Sequence, residues 1–156
     1  MTIKTTEKDL GYKKILEQFK EIAKDPYVKV GIVKDEKHQD GTSLALIASS
    51  NEFGTDDGRV PERSFMRSTA DKERRNVKNL IDKGYKDIIK GRETVFGLLT
   101  KVGLYVTGKT QQTITDLDNP ENAPSTIKGK GSSNPLIDTG LMRQSIRHEV
   151  VKDGSK

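Results

Sequence analysis

Cysteine is absent from the 156-residue chain, and so is tryptophan. Without cysteine there are no disulfides and no thiolate chemistry, and a reducing compartment is comfortable. Hydrophobic residues are scarce as well, at 31% against 33% charged, so the chain has less apolar surface to bury than an average domain. Part of its stability is therefore expected to come from neighbouring subunits. No apolar run approaches the roughly 18 residues needed to span a bilayer. Met1 to Asp9 lacks the apolar stretch of a signal peptide. A protein made and kept in a cytoplasm, with no membrane partner, is the expectation. The only histidines, His38 and His148, lie far apart and in no metal-ligand spacing. They read as a solvated loop residue and a strand-face residue, and no cofactor or metal is expected.

What is present is basic charge, concentrated in one place. The net charge is +5, and residues 59–92 hold 11 Lys/Arg against 5 Asp/Glu, a net of +6 that leaves -1 for the rest of the chain. At this length one domain spanning 1–156 is expected.

Hydrophobic spacing divides the chain into elements. From about Leu10 to Lys24, Ile15, Leu16, Phe19, Ile22 and Ala23 share one helical face, and Asp25-Pro26 ends the helix because proline disfavours the helical region for the residue before it. Val28, Val30 and Ile32 alternate as a strand. Ser43 is a suitable N-cap for a helix through Leu44, Ile47, Ala48 and Asn51, with Gly54 available to close it in the left-handed conformation. Asp56-Asp57-Gly58 reads as a turn, and Arg59 to Glu62 as no more than an edge strand.

A long helix from Ser64 carries an apolar stripe through Val77, Leu80, Ile81, Tyr85, Ile88 and Ile89. Lys72, Arg75, Lys83, Lys86 and Lys90 recur on another face. After Gly91 a second long helix runs from about Glu93 to Leu117. Each helix would be roughly 35 to 40 Å long, so the two are expected to pack as a hairpin whose far ends overhang the rest. Residues 118–135 show no periodicity and read as a long, mobile loop. Asp138 or Thr139 is then placed to cap a short helix, Ile146 to Val151 reads as a final strand, and residues 152–156 as a frayed tail. The fold class is α+β: a small antiparallel or mixed sheet packed with a long helical hairpin and two or three shorter helices.

Catalytic chemistry finds little support. Gly103-Leu-Tyr-Val-Thr-Gly-Lys-Thr110 matches the phosphate-cradling G-x-x-x-x-G-K-[ST] pattern, but helical spacing precedes it and its interior is apolar. A helix containing two glycines is the simpler reading, with a nucleotide-binding protein as the minor alternative. Asp56-Asp57 and Asp116/Asp118 are better explained by turns and helix ends than by paired carboxylates, and neither Ser64 nor Ser145 has an evident base. The basic face is open to two readings. It can neutralise DNA phosphates without sequence preference, although such a run is more often a solvated face or meets an acidic neighbouring surface. No aromatic residue interleaves it, which argues against single-strand binding.

Three segments carry a resemblance: Asn51-Glu-Phe-Gly-Thr55, Val60-Pro-Glu-Arg-Ser-Phe-Met-Arg67 and Pro135-Leu-Ile-Asp-Thr-Gly-Leu-Met-Arg143. In this order, with a long helical stretch between the last two, they resemble the tailed-bacteriophage neck family of head-to-tail joining, tail-completion or virion morphogenesis proteins. The likeness runs over about 28–151. It implies a non-enzymatic structural subunit of the virion neck, synthesised in a bacterial host. Such a subunit forms a homo-oligomeric ring between the portal of the capsid and a tail-terminator or tail-tube protein, close to the genomic DNA in the channel.

A ring needs two different patches of one subunit to meet on adjacent copies. The candidates are the loop from Arg59 to Arg67, the hairpin ends, and the corner from Leu136 to Leu141. Phe65 is expected to be an apolar anchor, Arg63 and Arg67 to pair with acidic groups, and Asp138 to fix the start of the last short helix. Packing within the chain is the competing assignment for each, and it is the preferred one for Gly54 and Pro61. Asp56-Asp57-Gly58 departs from the family pattern by lengthening or acidifying the connection between the first two segments.

Overall fold

A computed structural model describes residues 11–34 and 36–154. Met1 to Asp9, the helix start at Leu10 and the last two residues of the tail lie outside the described residues. The elements in chain order are α1 (Tyr12–Ile22), β1 (Tyr27–Ile32), α2 (Leu44–Phe53), α3 (Phe65–Ile89), α4 (Val95–Asp116), α5 (Pro124–Lys130), α6 (Leu141–Ser145) and β2 (Ile146–Val151). The class is α+β, with the α3–α4 pair packed against a two-stranded antiparallel sheet.

The strands pair from Tyr27 opposite Val151 to Ile32 opposite Ile146. Alternation turns Val28, Val30 and Ile32 towards the cores, while Lys29 stands exposed opposite Glu149. His148 follows the same alternation as Ile146, and its ring lies against Gly103 of α4, where a Cβ would come within 2.6 Å of it. The expectation of a strand-face histidine holds.

α3 and α4 run antiparallel along nearly their whole lengths. Thr69 Oγ1 lies 2.7 Å from Thr113 Oγ1, Tyr105 donates its hydroxyl to Glu73 at 2.6 Å, and Gly84 meets Leu98. The carboxyl of Glu73 is held below the usual range by the Asn76 amide first and the Tyr105 hydroxyl second. Thr94 caps α4 by accepting from Gly97 N at 2.9 Å. The expected overhang is missing at the far end, because Phe65 and Ile114 are both buried there under α2, α6 and the strands. At the turn end, Gln18 of α1 accepts from Val95 N, while Ile89 and Phe96 stay exposed. One core gathers Ala48, Phe65, Ile114, Leu136, Met142 and Ile146; the other gathers Ile88, Val95, Leu98 and Val102. α4 contributes to both.

Three local expectations change. Arg59 to Glu62 forms no strand among the described residues; Thr55 N bonds Val60 O at 2.9 Å and Arg63 N bonds Asn51 O at 2.6 Å, which folds the segment back on the end of α2. Gly54 has the positive φ expected of it, 75°, but ψ -178° lies outside the left-handed helical region; glycine suits this conformation, and a Cβ there would sit 3.1 Å from Glu62 N. The tail is attached at least as far as Gly154, whose N–H donates to Lys24 O at 2.9 Å, while Lys152 Nζ stands 4.7 Å from the Phe96 ring centre.

Two helix glycines give opposite predictions. A Cβ at Gly84 would lie 2.2 Å from Leu98 Cδ1, so Gly84→Ala is expected to cost about 1–3 kcal/mol through overpacking. Gly108 has nothing within 4 Å of that position, and Gly108→Ala is expected to gain about 0.5–1 kcal/mol from helix propensity. Urea unfolding of the two variants checks the hairpin: shifts of the same sign would contradict its packing.

Candidate functional site

The three segments that carry the resemblance meet in space. Ser64, the residue before α3, makes no side-chain capping bond. Glu52 of α2 takes that role from outside the helix: its carboxylate accepts from Met66 N at 2.8 Å and Arg67 N at 2.9 Å. A negative group at a helix N-terminus satisfies free amides and complements the helix dipole. Glu52 is only 5% exposed. Its charge is met by Arg67, whose Nε lies 3.1 Å from Oε1 and whose Nη2 donates to Glu52 O and to Glu62 Oε1, both at 2.8 Å. The expected pairing of Arg67 with acidic groups is thus made within the chain.

Arg63 differs from expectation. It is 5% exposed and meets no carboxylate; Nε donates to Pro120 O at 2.8 Å, Nη2 to Glu121 O and Asn122 Oδ1, and Nη1 to Asn51 Oδ1 at 3.3 Å. Burial lowers its pKa. A planar guanidinium can reach several carbonyls of one bend at once. Residues 118–135 are correspondingly more ordered than a loop without periodicity suggests. They include α5, Asn134 accepts from Leu136 N and Ile137 N and donates to Thr115 O, and Lys130 donates to Asn134 O and Pro135 O.

Phe65 is 1% exposed and Leu136 6%, so both are core residues and neither is available as a surface anchor. Leu141 is half-buried on the wall of a cavity of ≈ 210 Å³ shared with His38, Lys130 and Asp138. Of the two expected caps, Asp138 does not serve: α6 starts at Leu141 after Gly140, φ 79°, Leu141 N donates to Thr139 Oγ1 at 3.4 Å, and Asp138 Oδ2 lies 3.6 Å from His38 Nε2. His38 is therefore half-buried between Asp138 and Asp40 rather than solvated. Arg59 has the most exposed side chain of the set, at 86% against 51% for Arg67 and 45% for Asp138, and its ion pair is with Asp57 of the same turn.

The surface beside this junction was not legible in the sequence. α2 exposes Leu46 at 59% and Phe53 at 64%, and Arg67 stacks over the Phe53 ring at 4.9 Å. An apolar trough of ≈ 350 Å³ runs from Phe53 past Ala45 and Met66 to Gly31 and Ile32. Leu44, Ile47 and Ala48 carried the helix reading, whereas Leu46 and Phe53 fall on its opposite side.

The segment from Gly103 to Thr110 lies inside α4, so its amides serve the helix and form no phosphate loop; Lys109 points to Glu73 at 3.6 Å. Asp57 accepts from Thr55 and Arg59, Asp116 from Gln112 and Asp118 from Asn119, each as part of a turn or helix end. Among the described residues no group of three or more His, Asp or Glu side chains is placed to hold a metal, and no helix is long and apolar enough to cross a membrane. Compared with known proteins, the chain matches no family model, no curated protein and no solved structure.

Proposed function

We propose that the chain is a structural subunit of a tailed-phage neck that closes into a homo-oligomeric ring joining the capsid portal to the tail. The observation that carries this reading is the convergence of the three resembling segments into one scaffold. Glu52 of the first seats the helix that opens in the second, and Phe65 of the second shares a core with Leu136 and Met142 of the third. Residues so employed hold a frame together, which is what a subunit of a closed assembly needs.

The contact surface in this reading moves from Phe65 and Leu136 to the neighbouring Leu46, Phe53 and Arg67. Aromatic and arginine side chains beside an apolar trough are the usual energetic centres of protein interfaces. Arg59, exposed in the turn that follows α2, is assigned to the polar rim of such a contact.

Light scattering with electron microscopy of the purified protein tests the proposal. A ring of defined mass is expected, and labelled antibody should mark the head–tail junction of intact particles. The double variant Leu46→Ser, Phe53→Ser is expected to lower the mass to that of the monomer while changing the stability of the isolated chain by less than about 0.5 kcal/mol per site. A monodisperse monomer for the unaltered chain, or particles without it, would remove the reading.

A further inference from the structure

We infer that the outer face of α3 is a binding site for the phosphate backbone of duplex nucleic acid, without sequence preference. Lys72, Arg75, Lys83 and Lys86, followed by Lys90 at the helix C-cap, are all exposed. At about 100° per residue the five fall within about 80° of arc, in a stripe about 27 Å long. The other cations of the helix are engaged: Arg67 with Glu52 and Glu62, Arg74 with Asp71, and Lys78 with Asp82. Among the described residues, none of the five stripe cations has an ion-pair or hydrogen-bond partner for its side chain. They are a row of solvated, uncompensated charges on a rigid rod.

The composition of the stripe decides between a nucleic acid and an acidic protein as its occupant. The residues that fill the gaps on this arc are Ser68 and Asn79, so from Ser68 to Lys90 it carries no apolar side chain. Protein interfaces centre on aromatic and apolar anchors and are depleted in lysine. Phosphate tracking requires only cations at intervals along a rod and draws its free energy from released counterions. Four of the five cations are lysines, which contact phosphate as point charges without a fixed approach. The absence of an exposed aromatic from the stripe leaves single strands without a stacking platform. This inference does not rest on the neck reading and would hold for a subunit of any assembly.

Fluorescence anisotropy of the full chain with a labelled duplex of about 30 base pairs tests it. With five phosphates neutralised per subunit, log K is expected to fall against log salt with a slope of about -4.5, a loss of roughly 500-fold between about 50 and 200 mM salt. In the variant Lys83→Gln, Lys86→Gln, Lys90→Gln the slope is expected to shrink to about -1.8, or about 12-fold over the same range. The control Arg74→Gln, Lys78→Gln, which removes paired cations off the stripe, should leave the slope close to that of the unaltered chain. Scrambled duplexes should bind alike, and a single strand of the same length more weakly. The inference is overturned by no duplex binding at the low-salt limit, by a slope that the triple variant does not change, or by polyglutamate displacing the duplex at equal charge.

Discussion

Phe65→Ala is expected to unfold a large share of the molecules at modest urea, with a loss of about 3–5 kcal/mol. The ring is 1% exposed and packs where α2, α4, α6 and β2 converge, with Ala48, Ile114, Met142 and Ile146 around it. Truncation removes the transfer free energy of the side chain and leaves a hole that four elements cannot close without separating. A domain of ordinary stability has only about 5–15 kcal/mol in total. The measurement also separates two roles. Had Phe65 been a surface anchor, its loss would lower the assembled mass and leave the denaturation midpoint of the dilute chain alone. A midpoint within error of the unaltered protein would contradict the core placement.

Arg63→Ala is the second large effect, expected at about 3 kcal/mol and confined at first to one region. The residue is 5% exposed and its guanidinium donates to two backbone carbonyls and two side-chain amide oxygens, and hydrogen bonds from a charged group contribute about 1.5–3 kcal/mol each. The amides of residues 118–135 should then exchange faster than the hairpin does, because Arg63 fastens that bend to the end of α2. Arg63→Lys should restore less than half of the loss, since one ammonium cannot replace the fork that spans Pro120, Glu121 and Asn122. Uniform protection across 118–135 in the alanine variant would show that Asn134 and Lys130 hold the segment unaided.

Much of this architecture was legible because its periodicities are strong. α1, β1, α3, α4 and β2 follow from apolar spacing alone, and Ser43 caps α2 as its position suggests, accepting from Leu46 N at 3.1 Å. What failed was short or nonlocal. α5 is seven residues of Pro-Ser-Thr-Ile-Lys-Gly-Lys, with a single large apolar side chain and thus no period to detect. Arg59 to Glu62, read as at most an edge strand, spends its hydrogen bonds on Thr55 and Asp57 of the preceding turn. At the candidate site, Glu52 caps a helix that starts 13 residues later, and Arg63 bonds residues 57 to 59 positions away. Charged residues with such partners look in sequence like any solvated charge. Phe65 and Leu136, expected at a contact surface, are core residues instead, because an apolar residue in a short motif looks the same in sequence whether it faces inward or outward.

Because the carboxylate that seats α3 belongs to α2, the long rod is gripped at its root by the helix that displays Leu46 and Phe53. The lysine row and the apolar knob are thereby parts of a single stiff bracket. Whatever docks at Phe53 inherits a preset bearing for the charges further along, as a hand on a hilt aims the blade.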